Sequence, residues 1–126
     1  MYLLDTCVFI YYLEGSQKLS EKVKMIFENN NYLFLSQVSL WEIAIKKTTN
    51  KLIIDQTTHD LEITCRKGGI EIIPIKNHYF DIIQELPYIH SDPFDRLIIA
   101  TAMDESLTLI TSDKRIFQYP DINVIW

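Results

Sequence analysis

The chain has 126 residues, with 12 Lys and Arg against 17 Asp and Glu, so its formal net charge is −5. This length predicts a single domain over residues 1–126, long enough to bury a core of its own. With 48% hydrophobic residues and only three glycines, the composition excludes a disordered or collagen-like protein.

Three features of the sequence bear on where the protein acts. Its apolar runs fall far short of the ~20 residues that a membrane span requires. The N-terminal segment lacks a basic stretch, and Asp5 interrupts its apolar residues, which argues against a signal peptide. Cys7 and Cys65 are too few for a disulfide framework and are expected to be reduced thiols. We therefore expect a cytoplasmic protein.

Short apolar runs alternate along the chain with segments of helical periodicity. The predicted strands are residues 2–4, 33–35, 70–75, 107–111 and 122–125, with Pro74 placing the third strand near a strand end or a sheet edge. The predicted helices are residues 8–13, 18–28, 39–47, 57–66, 79–86 and 94–105, and a turn is expected at 29–31. Strands that alternate with helices predict an α/β fold with a mostly parallel sheet.

Five acidic residues lie at the predicted element boundaries: Asp5, Glu42, Asp92, Asp95 and Asp113. Each has a purely structural explanation when taken alone. Asp5 suits the N-cap of the first helix, and Asp113 suits the cap of a turn. Ser39 and Glu42 have the spacing of a capping box. In Asp92-Pro93-Phe94-Asp95, the first residue suits an N-cap and the last suits the first turn.

Taken together, the acids indicate a ligand site. Residues that follow the strands of an open parallel sheet lie along one edge, where such folds bind ligands. The strand pattern places Asp5 and Asp113 there, and Glu42 lies about one helical turn beyond another strand; the pattern alone does not place Asp95. Converging carboxylates repel one another, and a divalent cation relieves that repulsion. Oxygen ligands suit Mg²⁺ or Mn²⁺, whereas zinc is disfavoured without Cys or His at zinc-like spacing.

The overall negative charge does not by itself indicate a nucleic-acid partner. Without those five acids, 12 acidic residues face 12 basic ones, so the remainder of the chain is neutral. Lys114-Arg115 follows Asp113 directly, which makes contact with a polyanion electrostatically feasible. Solvated helix faces are the simpler explanation of such basic pairs.

Four segments resemble the PIN domain, in particular the VapC-type toxin ribonucleases of toxin–antitoxin modules. They are Leu3-Leu4-Asp5-Thr6, Ser39-Leu40-Trp41-Glu42-Ile43, residues 90–100 (HSDPFDRLIIA) and Leu109-Ile110-Thr111-Ser112-Asp113. The segments occur in the family's order and span residues 3–113. Residues 92–100 are the most specific of the four.

The resemblance implies a three-layer α/β/α sandwich with a parallel sheet. It implies that four acids form an Mg²⁺ or Mn²⁺ site and are the catalytic residues: Asp5, Glu42, Asp95 and Asp113. It also implies a metal-dependent endoribonuclease that hydrolyses RNA phosphodiester bonds, a cognate antitoxin as partner, and homodimerisation. Asp5 and Asp95 are the best candidates for direct metal ligands.

The sequence leaves more than one role possible for several residues near these acids. Asp92 is expected either to cap its helix or to approach the metal from just outside the ligand set. Hydroxyls of Thr6, Thr111 and Ser112 would orient ligands or phosphate, or would cap turns, which is the simpler reading. Arg96 would contact phosphate or pair with a neighbouring acid.

Two further side chains carry weaker expectations. His90 invites a general-acid role, but its neighbours fit a loop, so we expect a surface histidine. Trp41 is expected in the core; if exposed, it would belong to an apolar patch suited to an antitoxin helix or a dimer contact.

Other functions remain open from the sequence. A PIN-like nuclease of RNA processing would carry the same acids. A non-catalytic protein-binding module would use them as caps or as a structural cation site. A haloacid-dehalogenase-like phosphatase is disfavoured, because Asp5-Thr6-Cys7 lacks that family's second aspartate two residues on.

Overall fold

A computed structural model describes residues 1–29 and 32–126 as an α/β fold. The turn expected at 29–31 lies mostly outside the described residues, so its prediction stays untested. Within the described part of the chain, no helix is long and apolar enough to cross a membrane.

Five strands and six helices follow one another along the described chain. The strands are β1 (Tyr2–Leu4), β2 (Leu33–Ser36), β3 (Ile70–Ile73), β4 (Thr108–Ile110) and β5 (Val124–Ile125). The helices are α1 (Thr6–Glu14), α2 (Glu21–Glu28), α3 (Gln37–Thr48), α4 (Thr58–Lys67), α5 (Asn77–Glu85) and α6 (Pro93–Asp104), with a short 3₁₀ turn at Ile116–Gln118. The predicted order of strands and helices is confirmed.

The strands form one sheet in the order β3-β2-β1-β4-β5, and every neighbouring pair is parallel. β3 is an edge strand that ends at Ile73, so Pro74 lies just outside it, as a residue without a backbone N–H should. The order reverses between β1 and β4, because β2 and β3 extend to one side of β1 and the last two strands extend to the other. Open α/β sheets bind ligands at such a reversal, beyond the carboxyl ends of the strands.

Two apolar cores cover the two faces of the sheet, which gives the predicted three-layer α/β/α sandwich. Alternation along a strand sends Leu4 into one core and its neighbour Leu3 into the other. The first core is built with residues of α1, α2, α3 and α4, and the second with residues of α5 and α6. The sheet is therefore buried on both sides, and its carboxyl-end edge is where polar residues can meet.

Arg96 fixes the loop between α5 and α6 to the body of α6. One terminal nitrogen of its buried guanidinium donates to the carbonyls of Pro87 and His90, and the other to those of Ile83 and Leu86. The bonds to His90 and Leu86 are buried, so Arg96 supplies donors to backbone acceptors that need a partner there. The expected pairing of Arg96 with a neighbouring acid does not occur among the described residues, since its contacts are with carbonyls, the Tyr119 hydroxyl and the Tyr88 ring.

Replacing Arg96 by lysine should destabilise the fold. A single ammonium group cannot span the four carbonyls that the planar guanidinium reaches, so buried acceptors lose their donors. We expect Arg96→Lys to lower the free energy of unfolding by about 2–4 kcal/mol in urea denaturation. The matched control is Arg66→Lys on the exposed side of α4, expected to change stability by less than about 0.5 kcal/mol. Equal stability of the two variants would contradict the role given to Arg96.

Candidate active site

Asp5 lies at the N-terminus of α1, directly after β1, but its side chain makes no capping hydrogen bond. Instead its Oδ2 accepts a 2.6 Å hydrogen bond from the Thr111 hydroxyl, which follows β4. The capping explanation of Asp5 is therefore wrong for the side chain. Only 5% of the residue is exposed. Burial raises the pKa of Asp5 to about 6; the Thr111 bond opposes that rise, and the charge of Glu42 adds to it.

Glu42 is not part of a capping box. The helix α3 begins at Gln37, two residues earlier than predicted, and Ser36 caps it by accepting from the Val38 N–H. Glu42 therefore lies in the second turn, where it is 8% exposed and its Oε2 pairs with Lys46 at 3.2 Å. Although burial opposes it, the charge of Glu42 raises the pKa of Lys46. The other carboxylate oxygen, Oε1, is buried and has no hydrogen-bond partner among the described residues.

Asp92 and Asp95 open α6. Asp92 is the N-cap, accepting from the N–H groups of Phe94 and Asp95, with Pro93 in the first turn, so its predicted capping role is confirmed. The carboxylate of Asp95 takes no part in this cap, and its Oδ2 lies 3.1 Å from His90 Nε2. Burial first, and then the charges of Asp5, Asp92, Glu42 and Asp113, raise the pKa of Asp95 to about 8. Asp95 thus belongs to the same electrostatic cluster as Asp5 and Glu42, which the sequence pattern alone did not establish.

Asp113 lies in the turn after β4 and is only partly buried. Its Oδ1 accepts from the Arg115 N–H at 2.9 Å, and its own N–H donates to the Thr111 hydroxyl at 3.1 Å. Burial favours the neutral form of Asp113, but the hydrogen bonds from Arg115 and His90 outweigh it and lower the pKa of this carboxyl. Asp113 is therefore the anionic member at the exposed side of the cluster.

His90 was expected at the surface, and that expectation is wrong. The residue is 5% exposed, and its Nε2 lies 2.8 Å from Asp113 and 3.1 Å from Asp95. The loop that carries it is held inward by Arg96, which accounts for the burial. Ligand atoms of His90, Asp95 and Asp113 all lie within 4.8 Å of one another. The sequence identified the histidine as a candidate but gave no sign of the packing that turns it inward.

The hydroxyl groups near the site have distinct roles. Thr111 both donates to Asp5 and accepts from the Asp113 N–H, so it connects the acids that follow β1 and β4. Thr6 donates to the buried Ser39 hydroxyl at 2.9 Å, which ties the start of α1 to α3. Ser112 is exposed. Thr111 therefore orients an acid, whereas Thr6 joins two helices.

An aromatic pair, with one ring exposed and the other partly buried, lies next to two of the acids in the sequence. Trp41, which precedes Glu42, is 59% exposed and packs edge-to-face on Phe94, which precedes Asp95, with ring centroids 5.0 Å apart. The expectation of a core position for Trp41 is wrong, because the inward side of α3 is taken by Leu40 and Ile43. The pair thus presents an aromatic surface at residues adjacent in sequence to Glu42 and Asp95.

Comparison of the chain with known proteins identifies the family to which this fold belongs. Residues 2–122 match the PIN domain family, so the chain belongs to that family, whose members are nucleases. Among curated protein sequences, none matches the chain significantly.

Solved structures share the fold at low sequence identity. A chain of VapBC2 from Rickettsia felis, bound to a promoter DNA fragment, aligns with a TM-score of 0.73 at 21% identity, covering 99% of this chain and 98% of that one. A chain of FitAcB from Neisseria gonorrhoeae aligns with a TM-score of 0.68 at 22% identity, covering 100% of this chain and 97% of that one. A chain of a toxin–antitoxin complex from Klebsiella pneumoniae aligns with a TM-score of 0.63 at 21% identity, covering 100% of this chain and 97% of that one.

The metal-free protein should lose stability as the pH rises. Asp5 and Asp95 have pKa values of about 6 and about 8, above the ordinary value of 3.8, so the folded state holds protons that the unfolded state releases. Their protonation therefore stabilises the fold at low pH, and this contribution disappears as the pH rises through those values. With EDTA present, we expect the melting temperature to fall between pH 5 and about pH 8.5.

The Asp95→Asn variant should flatten that pH dependence and stabilise metal-free protein at pH 8 by about 1–2 kcal/mol, since it removes a buried like charge. Asp81→Asn, an exposed change on α5, is the control and should leave the profile unchanged. A wild-type profile that rises with pH over this range would contradict the assignment.

Proposed function

We propose that the chain is a metal-dependent endoribonuclease and the toxin of a toxin–antitoxin pair. It would act as a single domain in the cytoplasm, as a homodimer and with a cognate antitoxin. Its catalytic residues and cation ligands would be Asp5, Glu42, Asp95 and Asp113. The observation that carries this proposal is the buried carboxylate cluster where the strand order reverses, in a chain of the PIN family.

The chemistry of the cluster fits a divalent cation. The buried Oε1 of Glu42 has no hydrogen-bond partner among the described residues, and a buried acceptor without a partner is costly. The raised pKa values of Asp5 and Asp95 arise from burial and like charge, which a bound cation would relieve. The acids offer only oxygen ligands, which suit Mg²⁺ or Mn²⁺.

The chain's own residues prepare this site for phosphodiester hydrolysis. Thr111 holds Asp5, and Lys46 holds one oxygen of Glu42 while leaving the other unpaired. When bound, a divalent cation would lower the pKa of a coordinated water and stabilise the negative charge that develops on the phosphate oxygens. Without a cation, the carboxylates repel the phosphate at the scissile bond, so RNA that binds elsewhere on the surface is positioned for hydrolysis only in the cation-loaded protein.

RNA as substrate is supported by the aromatic surface formed by Trp41 and Phe94. Bases of single-stranded nucleic acid stack on exposed aromatic side chains, with little dependence on sequence. A small phosphate ester would have no use for such a surface. The toxin role and the antitoxin are supported by the VapBC2, FitAcB and Klebsiella complexes, whose matching chains are almost fully covered by this one.

Removing a ligand should abolish cleavage while keeping the fold. We expect Asp5→Asn and Asp95→Asn each to lower the rate of RNA cleavage in Mn²⁺ by at least about a hundredfold, measured on a mixture of cellular RNAs. Both should also relieve growth arrest when the protein is expressed. Asp81→Asn should retain full activity in both assays.

The results separate the competing functions. Cleavage without growth arrest would favour an RNA-processing nuclease. A wild-type protein that folds and binds a partner, yet cleaves no RNA in Mg²⁺ or Mn²⁺, would favour a non-catalytic binding module. Full activity of both aspartate variants would refute the assigned site.

The aromatic surface gives a separate prediction. With EDTA present to prevent cleavage, Trp41→Ala should weaken the binding of a single-stranded RNA by about 1–3 kcal/mol. The chain has only two tryptophans, so in a Trp126→Phe background the fluorescence of Trp41 should be quenched by single-stranded RNA and much less by duplex. Unchanged RNA affinity would instead favour Trp41 as part of a protein-binding surface.

A further inference from the structure

Every polar atom of His90 has a partner. Its backbone N–H donates to the Tyr119 hydroxyl at 2.9 Å, and its carbonyl accepts from Arg96 at 3.3 Å. In the ring, Nδ1 accepts from the Asp92 N–H at 3.1 Å, while Nε2 faces Asp113 at 2.8 Å and Asp95 at 3.1 Å. The imidazole is therefore held in one orientation.

These partners determine which ring nitrogen carries the proton. The Asp92 N–H can only donate, so Nδ1 must present its lone pair and carries no hydrogen. The proton of the imidazole then lies on Nε2, directed at the carboxylates of Asp95 and Asp113. A histidine that binds a metal through Nε2 ordinarily donates its other N–H to an acceptor. Here the other nitrogen meets a donor, so Nε2 is a hydrogen-bond donor and not a ligand.

We propose that His90 is a positioning residue that bridges the carboxylates of Asp95 and Asp113 through Nε2–H, and that it keeps the cation site an all-oxygen one. This role rests on the function proposed above and deepens it. By distance alone, His90, Asp95 and Asp113 would form a three-residue metal site with a nitrogen ligand. The N–H of Asp92, which donates to Nδ1, favours instead an arrangement in which Nε2 donates to the two carboxylates and no nitrogen binds the cation.

The arrangement has consequences for the site. A neutral shared donor draws two repelling carboxylates together without cancelling the negative charge that attracts a cation. Excluding nitrogen from the ligand set favours hard cations such as Mg²⁺ and Mn²⁺ over Zn²⁺. His90 would thus contribute to cation selectivity without touching the cation.

Two variants separate the functions of the two ring nitrogens. The amide nitrogen of glutamine can take the place of Nε2 as a donor, whereas asparagine can replace only the Nδ1 acceptor. We expect His90→Gln to retain Mn²⁺ affinity within about threefold by calorimetry, and His90→Asn to lose about ten- to a hundredfold. A role limited to capping the loop would give the opposite order, and equal losses in both variants would also refute the bridge.

Spectroscopy tests the ligand set directly. Pulsed electron paramagnetic resonance of the wild-type protein with Mn²⁺ should detect no directly bound nitrogen, and ¹⁵N NMR of metal-free protein should find the His90 proton on Nε2. A bound nitrogen that disappears in His90→Gln would overturn the proposal. Absence of any Mn²⁺ binding by the wild-type protein would overturn the cation site and the His90 bridge together. Binding that His90→Asn leaves unchanged would overturn the bridge alone.

Discussion

The burial of several carboxylates at one edge of a parallel sheet is the constraint on which the rest of the structure depends. Because all five strands run in one direction, the residues after β1 and β4 meet where the strand order reverses. At this edge, burial and the charges of neighbouring acids both oppose the ionisation of Asp5 and Asp95, and together they raise the pKa values of these two carboxyls. The surrounding hydrogen bonds hold these acids in place.

The groups that hold the acids are mostly neutral. Thr111 and His90 donate to them without cancelling their charge, and Lys46 engages only one oxygen of Glu42. Arg96 is the neighbour of Asp95 in sequence, yet its guanidinium is committed to loop carbonyls instead. Had it paired with Asp95, it would have removed much of the negative charge that makes the cluster attractive to a cation.

This arrangement links stability to function. We expect a metal-free protein with these buried, mutually repelling acids to be less stable than one with neutral residues at those positions, a trade-off common at active sites. It also links the loop between α5 and α6 to the site, because the same His90 whose backbone is held by Arg96 contacts Asp95 and Asp113. The fold of that loop and the geometry of the acids therefore depend on each other.

The sequence by itself determined the alternation of strands and helices, and it placed Pro74 near a strand end or a sheet edge; that β3 lies at the edge came from the structure. The sequence also placed Asp5 and Asp113 after their strands, since these follow from local periodicity and from residues that end strands. The position of Asp95 came only with the family resemblance, because it opens a helix and does not follow a strand. The sequence made Glu42 compatible with a capping box, but the helix begins at Gln37 with Ser36 as its cap, which places Glu42 in the second turn.

Only the tertiary structure decided the burial of His90, the exposure of Trp41 and the partners of Arg96. Those three depend on how α6 and its preceding loop pack against the sheet and α3, and contacts between segments distant in sequence leave no periodic signal in the chain.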